Sequence, residues 1–227
     1  MKHKIITFGE LMLRLSPDNN ERFTQAHSYE AVYGGGEANT AVSLANFNVD
    51  TRYVTKLPNH TIGQSAVNSL RQYGVDVSRI VRGGDQIGIY FLEKKTSQRP
   101  TNVIYNRNGS AFALATKEDF DWNSIFEGAT WFHFSGITPA ISDNMAEITI
   151  EACKEAKKRN ITVSCDLNYR SKLWSSEKAN KVMSEVCKYV DICIANEDDA
   201  VGIFGMDASK SDKEKNAYIA EELTKMF

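Results

Sequence analysis

The second half of the chain alternates short β-rich runs with helical patterns, and this alternation constrains the fold more than any other feature of the sequence. The strand-like runs are TWFHFSG (130–136), ITVSCD (161–166) and DICIAN (191–196). After the first run, Ile148, Ala152 and Ala156 recur at four-residue intervals, which predicts one face of a helix that begins near Ser142. Strands that alternate with helices form a parallel sheet wrapped by helices. We therefore predict an α/β fold with a mainly parallel sheet.

The first half of the chain has a mixed pattern. KIITF (4–8) and TRYVTKL (51–57) are typical of strands, and residues 37–47 and 62–73 are typical of helices that pack on them. Between residues 86 and 108, two alternating runs follow each other with no helix between them, which predicts a hairpin. Residues 11–16 and 29–33 could add strands to it. We predict one α/β domain over residues 1–227, with a β-sheet lid built from these segments.

Charge and hydropathy exclude several classes of function. With 27 basic and 29 acidic side chains, the formal net charge is −2, so no positive field attracts a nucleic-acid backbone or an anionic membrane. The apolar run of residues 5–9 is too short for a signal peptide or a membrane span. We predict a cytoplasmic protein with no nucleic-acid partner and no membrane partner.

The cysteine pattern indicates neither a disulfide framework nor a zinc site. Cys153, Cys165, Cys187 and Cys193 are widely spaced, without a C-x-x-C pair and without a histidine at ligand spacing. Free cysteine is usually buried in proteins. We therefore predict four buried, reduced thiols.

Polar residues follow the three predicted strands of the second half. The segments are Ser135-Gly136-Ile137, Asp166-Leu167-Asn168-Tyr169-Arg170 and Asn196-Glu197-Asp198-Asp199. Ligands of open α/β sheets bind outside the carboxyl ends of the strands, so these segments are candidates for a site. Turn formation and helix capping explain any one of these residues equally well. Their coincidence at neighbouring strand ends favours ligand binding.

The first half contributes a glycine run and a set of lid residues. Gly34-Gly35-Gly36 lies between a strand and a helix, where backbone N–H groups can approach a ligand closely; a tight turn is the alternative. On the lid, Tyr90, Tyr105 and Arg107 could face a cleft, although strand tyrosines often only pack. A guanidinium group matches a carboxylate, but a surface salt bridge is the alternative for a single arginine. Walker, G-x-G-x-x-G and G-x-S-x-G patterns are absent from the sequence.

Taken together, GGGEANTA (34–41), DLNYR (166–170) followed by Leu173-Trp174, and NEDD (196–199) resemble the ribokinase-like (pfkB) family of carbohydrate kinases. The motifs come in the family's order and span the chain. The resemblance implies a three-layer α/β core with a β-sheet lid, and transfer of the γ-phosphoryl group of ATP to a sugar hydroxyl. It implies ATP and Mg²⁺ as cofactors, and a homo-oligomer formed through the lid.

The resemblance also implies roles for individual residues. The implied substrate-binding residues are Gly34, Gly35, Asn39, Tyr90, Tyr105, Arg107, Ile137 and Arg170. The implied nucleotide and phosphate residues are Asp166, Asn168 and Asn196. Asn196 and Asp199 match the family's N-x-x-E element, which organises Mg²⁺ through water molecules; Asp199 is one methylene shorter than the family's Glu.

The implied substrate is a small sugar acid. The chain is most similar to family members that phosphorylate 2-keto-3-deoxygluconate to its 6-phosphate, and Arg107 and Arg170 suit an acidic sugar. A kinase of a neutral sugar, like a fructokinase or a ribokinase, is one alternative, and a noncatalytic sugar-binding module is another. The family's later G-A-G-D segment, which supplies the catalytic base and an anion hole, has no match in these residues. We therefore expect both beyond Phe227, and an inactive chain without them.

Overall fold

The computed structural model describes residues 3–206 and 212–227 of the chain. These residues form two compact units. The terminal unit comprises the described residues up to Phe8 and those from Thr116 to Phe227, and the central unit comprises Gly9–Ala115.

Strands and helices alternate along much of the chain. In chain order the strands are β1 (Lys4–Phe8), β2 (Met12–Pro17), β3 (Tyr29–Gly34), β4 (Asp50–Val54), β5 (Lys56–Leu57), β6 (Val81–Arg82), β7 (Ile89–Glu93), β8 (Asn102–Asn106), β9 (Trp131–Ser135), β10 (Thr162–Asp166) and β11 (Ile192–Ile194). The helices are α1 (Gly36–Asn46), α2 (Thr61–Arg71), α3 (Trp122–Ile125), α4 (Ile137–Ala140), α5 (Asp143–Lys158), α6 (Ser176–Cys187), α7 (Glu197–Phe204) and α8 (Asp212–Met226).

The terminal unit contains a parallel sheet. Its strands lie in the order β11-β10-β9-β1, and every adjacent pair is parallel. Alternate residues of these strands point into the core, and the side chains of Ile6, Phe132, Phe134, Val163 and Cys165 are fully buried. The predicted α/β class with a mainly parallel sheet is therefore confirmed.

Helix α5 covers this sheet in the way its sequence predicts. Ser142 is the N-cap, and its Oγ accepts a hydrogen bond from the backbone N–H of Met145. Ile148, Ala152 and Ala156 are fully buried, and the helix contacts β10. The predicted start near Ser142 and the predicted apolar face are both confirmed.

An aromatic cluster joins the N-terminal strand to the rest of the terminal unit. Phe8 makes edge-to-face contacts with Phe120 and Trp122, at ring-centroid distances of 5.2 and 5.4 Å. Trp122 stacks on Phe126, which meets the ring of Phe132 edge-on. Such ring pairs each add about 0.5–1.5 kcal/mol beyond burial, so the cluster stabilises the position of β1 beside β9.

The central unit is built around a second, mixed sheet. Its order is β3-β2-β7-β8, with β2 and β7 parallel and both outer pairs antiparallel. On one face, Leu13, Tyr33 and Ile89 pack against a core that includes Ala41 and Tyr53. The second sheet is thus confirmed, and its role as a lid stays a prediction.

Three local expectations differ from the structure. The run TRYVTKL is divided between β4 and β5, because the chain changes partner at Thr55, whose carbonyl accepts from Val81 N–H before β5 pairs with β6. The strand predicted over residues 191–196 is limited to β11. Cys193 is exposed rather than buried, since β11 is the last strand in the order of its sheet and lacks a further neighbour among the described residues.

The polar segment DASKSDK (207–213), whose composition predicts a turn, falls mostly on positions outside the described residues. Among the helices that are described, none is both long and apolar enough to cross a bilayer.

Gly35 offers a test of the central unit's packing. A Cβ at this position would lie 2.2 Å from the backbone oxygen of Glu10, so Gly35→Ala is expected to lower the free energy of unfolding by about 1–3 kcal/mol. The matched control is Gly36→Ala, because a Cβ there would meet nothing within 4 Å; this change is expected to be neutral or to stabilise by up to about 1 kcal/mol. Urea unfolding measures both, and equal effects at the two positions would contradict the packing argument.

Candidate functional site

The glycine run places Gly34 beside Tyr90, a second predicted site residue. Gly34 ends β3, Gly35 is the N-cap of α1, and Gly36 is the first residue of that helix. A Cβ on Gly34 would lie 3.7 Å from the Oη of Tyr90. The small residue therefore leaves room beside the tyrosine hydroxyl, and the structure brings these two positions together.

Several polar side chains share one face of the mixed sheet. The strand register pairs Gly34 with Met12, Arg14 with Tyr90, and Tyr90 with Tyr105. Paired residues of adjacent strands point to the same side of a sheet. The two tyrosine rings stack with centroids 5.8 Å apart. We call this side the polar face and define it by Gly34, Arg14, Tyr90, Tyr105 and Arg107.

Arg14 lies outside the sequence motifs and was not predicted as a site residue. The alternation in β2 places Met12, Arg14 and Ser16 on one side of the strand. That signal was available, but the strand alone does not tell which residues stand opposite. The pairing with Tyr90 comes from the register of the folded sheet.

Arg107 has a buried structural partner that sequence reasoning missed. Its Nε donates to Oε2 of Glu10 at 2.7 Å, and its Nη2 bonds to the same oxygen. Ser110 Oγ donates to the other carboxylate oxygen at 2.6 Å. The side chains of Arg107 and Glu10 are only 8% and 2% exposed. Most of the guanidinium group therefore serves this network, and it also lies 5.9 Å from the centre of the Tyr105 ring.

A glycine makes room for this network. A Cβ on Gly88 would lie 2.6 Å from Oε1 of Glu10. Gly88 immediately precedes β7, which lies between β2 and β8 in the sheet order. The absent side chain therefore lets the Glu10 carboxylate reach Arg107 across the intervening strand.

Asn39 lies one turn of α1 after Gly35, whose backbone oxygen accepts a hydrogen bond from the N–H of Asn39 at 2.8 Å. It is exposed on α1 and lines a cavity of about 530 Å³, together with Tyr33, Ser43, Ser69 and Tyr73. Gly34, Tyr90, Tyr105 and Arg107 do not line this cavity. The predicted contact of Asn39 with a sugar stays a prediction.

Asp166 stands at the carboxyl end of β10 in a partly buried position. Its Oδ1 accepts a hydrogen bond from the backbone N–H of Asn168 at 3.2 Å. Burial, followed by repulsion from the charge of Asp199, raises the pKa of the Asp166 carboxyl group, although the charge of Arg170 acts in the opposite direction. Asn168 itself adopts a left-handed backbone conformation with φ of 38°, which asparagine tolerates better than most residues. A carboxylate with a raised pKa at a strand end is a candidate for chemistry.

Ile137 follows the neighbouring strand end. Gly136 N–H donates to the backbone oxygen of Asp166 at 2.8 Å, and a Cβ on Gly136 would lie 2.2 Å from the oxygen of Leu167. This close approach sets Ile137, the first residue of α4, beside the segment that follows β10. The structure therefore brings the first two polar strand ends together.

Asn196 and Asp199 form a capping box at the start of α7. Asn196 Oδ1 accepts from the N–H of Asp199 at 2.9 Å, and Asp199 Oδ2 accepts from the N–H of Asn196 at 3.0 Å. Asp199 Oδ1 accepts in addition from Tyr169 N–H at 2.7 Å. Capping, which the sequence left open as the alternative, is therefore a role these residues have in the fold. Their role in organising a metal stays a prediction.

The last predicted site residue of the terminal unit, Arg170, lies at its surface. Arg170 is exposed, and its Nη1 donates to the backbone oxygen of Tyr169 at 3.1 Å. Within residues 3–206 and 212–227, no group of three or more His, Cys, Asp or Glu side chains could hold a metal ion directly. Asn196 lines a cavity of about 790 Å³ with Cys193, Ile219 and Phe227.

A mainly parallel sheet with polar strand ends and a second mixed sheet define an α/β protein of the ribokinase-like type. The sequence profile described as pfkB family carbohydrate kinase matches residues 2–226. The chain therefore belongs to the pfkB family of carbohydrate kinases, as its motifs predict.

Individual relatives are similar over most of the chain. A 2-dehydro-3-deoxygalactonokinase from Haloferax volcanii is 37% identical over 209 residues, which are 91% of this chain and 65% of that protein. A 2-dehydro-3-deoxygluconokinase from Bacillus subtilis is 28% identical over 78% of this chain and 55% of its own length. The crystal structure of a 2-dehydro-3-deoxygluconokinase from Thermotoga maritima has a TM-score of 0.96 and 49% identity, covering 99% of this chain and 68% of that one. The chain thus spans less than two thirds of these two curated relatives.

The buried ion pair predicts a large loss of stability when it is broken. Arg107→Ala would leave the Glu10 carboxylate buried without its cation, so the free energy of unfolding is expected to fall by about 3–5 kcal/mol. Glu10→Met combined with Arg107→Ala removes both charges and is expected to recover part of the loss. The control is Lys94→Ala, which removes an exposed partner of Glu30 and should cost less than about 1 kcal/mol. Similar losses for Arg107→Ala and Lys94→Ala in urea unfolding would contradict this description.

The two carboxylates of the terminal unit are expected to respond oppositely to amide substitution. Because the pKa of Asp166 is raised in the folded state, the ionised carboxyl group destabilises the fold. This destabilisation grows as the pH rises from the ordinary aspartate pKa of about 3.9 through the folded value. Asp166→Asn should therefore stabilise at pH 7, by less than about 1 kcal/mol because the group is half-exposed, and the gain should vanish below about pH 3.9. Asp199→Asn replaces one of the two side-chain oxygens that accept backbone hydrogen bonds. It should lower the free energy of unfolding by about 1–2 kcal/mol. Unfolding at several pH values tests both, and destabilisation by Asp166→Asn would refute the first expectation.

Proposed function

We propose that this chain carries sugar-binding and phosphate-binding residues of an ATP-dependent kinase that converts 2-keto-3-deoxygluconate to its 6-phosphate. In this reaction the sugar hydroxyl oxygen attacks the γ-phosphorus of ATP, the bond to the β-phosphate oxygen breaks, and the hydroxyl proton passes to a base. The observation that carries the proposal is the polar face, where a tyrosine pair lies beside Gly34 and shares its face with two arginines in a member of this kinase family.

The central unit supplies groups that suit the sugar. Tyr90 and Tyr105 offer stacked rings with hydroxyl groups at their tips, which pack on carbon atoms and bond to hydroxyls. Gly34 leaves space beside the Tyr90 hydroxyl. Arg107 retains Nη1, which has no hydrogen bond to a described residue, as a donor for an acidic substrate. We assign Gly35 and Asn39 to sugar hydroxyls as well.

The terminal unit supplies groups that suit phosphate and the acidic sugar. We assign Asp166, Asn168 and Asn196 to the region of the nucleotide phosphates, Ile137 to the sugar, and Arg170 to the substrate carboxylate or the transferred phosphoryl group. The exposed guanidinium of Arg170 supports this assignment. Since both oxygens of Asp199 already accept backbone hydrogen bonds, any contribution of Asn196 and Asp199 to Mg²⁺ would be made through water. When bound, Mg²⁺ neutralises charge on the phosphates.

A second substrate is favoured by a specific observation. The relative from Haloferax volcanii is named for the galactonate compound rather than the gluconate compound. We therefore consider 2-keto-3-deoxygalactonate, which differs at one stereocentre, as the second candidate. A neutral sugar and a purely noncatalytic binding role are the remaining alternatives from the sequence.

Location and assembly are also proposals. A cytoplasmic site of action fits a kinase that uses ATP and small sugar acids. An oligomer formed through the mixed sheet fits the fact that β3 and β8 are its outer strands, because strands with unpaired edges favour pairing with another copy.

Binding and turnover can be measured separately. Calorimetry on the 227-residue chain is expected to show binding of 2-keto-3-deoxygluconate or its galactonate epimer, and weaker binding of fructose. An ADP-release assay on the same chain is expected to stay at background, because the residues contain no match to the G-A-G-D segment. A longer chain that adds a segment equivalent to the last third of the relatives should release ADP with a sugar acid. Silence of that longer chain with every sugar acid would refute the kinase, and preference for fructose would favour the neutral-sugar alternative.

A further inference from the structure

We infer that Arg14 is a specificity-determining residue of the sugar site, a guanidinium group that binds the substrate's carboxylate in addition to the arginines assigned above. The inference rests on the proposed function. Arg14 lies in the middle of β2, opposite Val32 of β3 and Tyr90 of β7. It therefore stands on the polar face, next to the tyrosine pair that we assign to the sugar.

The guanidinium group of Arg14 has no hydrogen bond to any residue that the structure describes. Its Nε is buried and lacks a partner. Its Nη2 lies 3.8 Å from Oε2 of Glu30, which is beyond hydrogen-bond distance. The side chain is 27% exposed, so a ligand can reach it. Buried donors in folded proteins usually have acceptors, and a carboxylate bound at the exposed part of this side chain would bring an acceptor to the guanidinium group.

The charges around the polar face leave one cation in excess, because Arg14 has only a longer contact with an acid that Lys94 also binds. Glu10 bonds to Arg107, and Glu30 lies 3.1 Å from the Nζ of Lys94. Arg14 shares the Glu30 carboxylate at 3.8 Å, so two acids face three cations and one positive charge is left in excess. A site with one uncompensated cation attracts a substrate with one negative charge.

Arg14 is better suited than Arg107 to hold a carboxylate with two bonds. Arg107 directs Nε and Nη2 to Glu10, so only Nη1 is left as a terminal nitrogen with no such bond. Arg14 can present two parallel N–H groups, and this geometry matches the two oxygens of a carboxylate. A neutral sugar would leave those donors unpaired. The geometry therefore points to Arg14 as the residue that separates sugar acids from neutral sugars.

Arg14→Gln tests this role because it removes the charge and keeps a similar length. In calorimetry on the 227-residue chain, affinity for 2-keto-3-deoxygluconate is expected to fall about 10- to 100-fold, and affinity for the C1 amide of the same sugar should change less than about threefold. Arg14→Lys should restore part of the loss. The Tm of Arg14→Gln should stay within about 2 °C of the parent value, because the substitution breaks no hydrogen bond between described residues.

Arg71→Gln is the matched control. Arg71 is exposed at the end of α2, so this variant loses the same charge away from the polar face and should bind the sugar acid like the parent chain. Undiminished acid binding by Arg14→Gln would overturn the inference and leave the proposed function standing. Equal losses for the acid and the amide would also overturn it, since they would indicate a structural role. If the parent chain and the longer chain bound neither epimer, the proposed function would fall and this inference with it.

Discussion

A buried ion pair between Glu10 and Arg107 organises the sheet that carries most of the predicted sugar-binding residues. Glu10 precedes β2 and Arg107 follows β8, and 97 positions separate them in the sequence. Two N–H groups of Arg107 and the hydroxyl of Ser110 satisfy the carboxylate. A buried charge pair stabilises a structure only when its remaining hydrogen bonds are made, and this network meets that condition. Gly88 leaves the space in which the pair forms.

The hydrogen bonds to Glu10 give Arg107 and Arg14 different capacities for binding a ligand. Arg107 is held in one orientation and retains little capacity for a further ligand. The N–H donors of Arg14, in contrast, have no hydrogen bond to a described residue. The Arg107 guanidinium lies 5.9 Å from the centre of the Tyr105 ring, and the Arg14 guanidinium keeps donors for the proposed substrate. The polar face thus combines an arginine held by a buried carboxylate with one whose donors are available, which suits the proposed binding of a small charged ligand.

In the terminal unit, two aspartates that follow strands, Asp166 and Asp199, differ in their hydrogen bonding. Asp199 accepts hydrogen bonds on both oxygens and fixes the start of α7 and the segment that contains Tyr169. Asp166 accepts one backbone hydrogen bond, and burial raises the pKa of its carboxyl group. The difference explains why strand-end carboxylates cannot be assigned to catalysis by position alone. One of them stabilises the structure that presents the other.

The sequence by itself determined the α/β class, the helix that begins after Ser142 and the strands of both sheets, because helical and strand periodicities are local. Alternation along the strand also puts Tyr105 and Arg107 on one side of their own segment, whereas the common side of Tyr90 and Tyr105 comes from the register of the folded sheet. The motifs predicted the family to which the chain belongs.

Tertiary structure alone decided which strands are neighbours. It set Arg14 opposite Tyr90, gave Arg107 a partner far away in the sequence, and left Cys193 exposed on an outer strand. It also divided the run TRYVTKL at Thr55. The physical reason is that strand order and register depend on contacts between distant segments, whereas residue periodicity reports only which side of its own element a residue occupies.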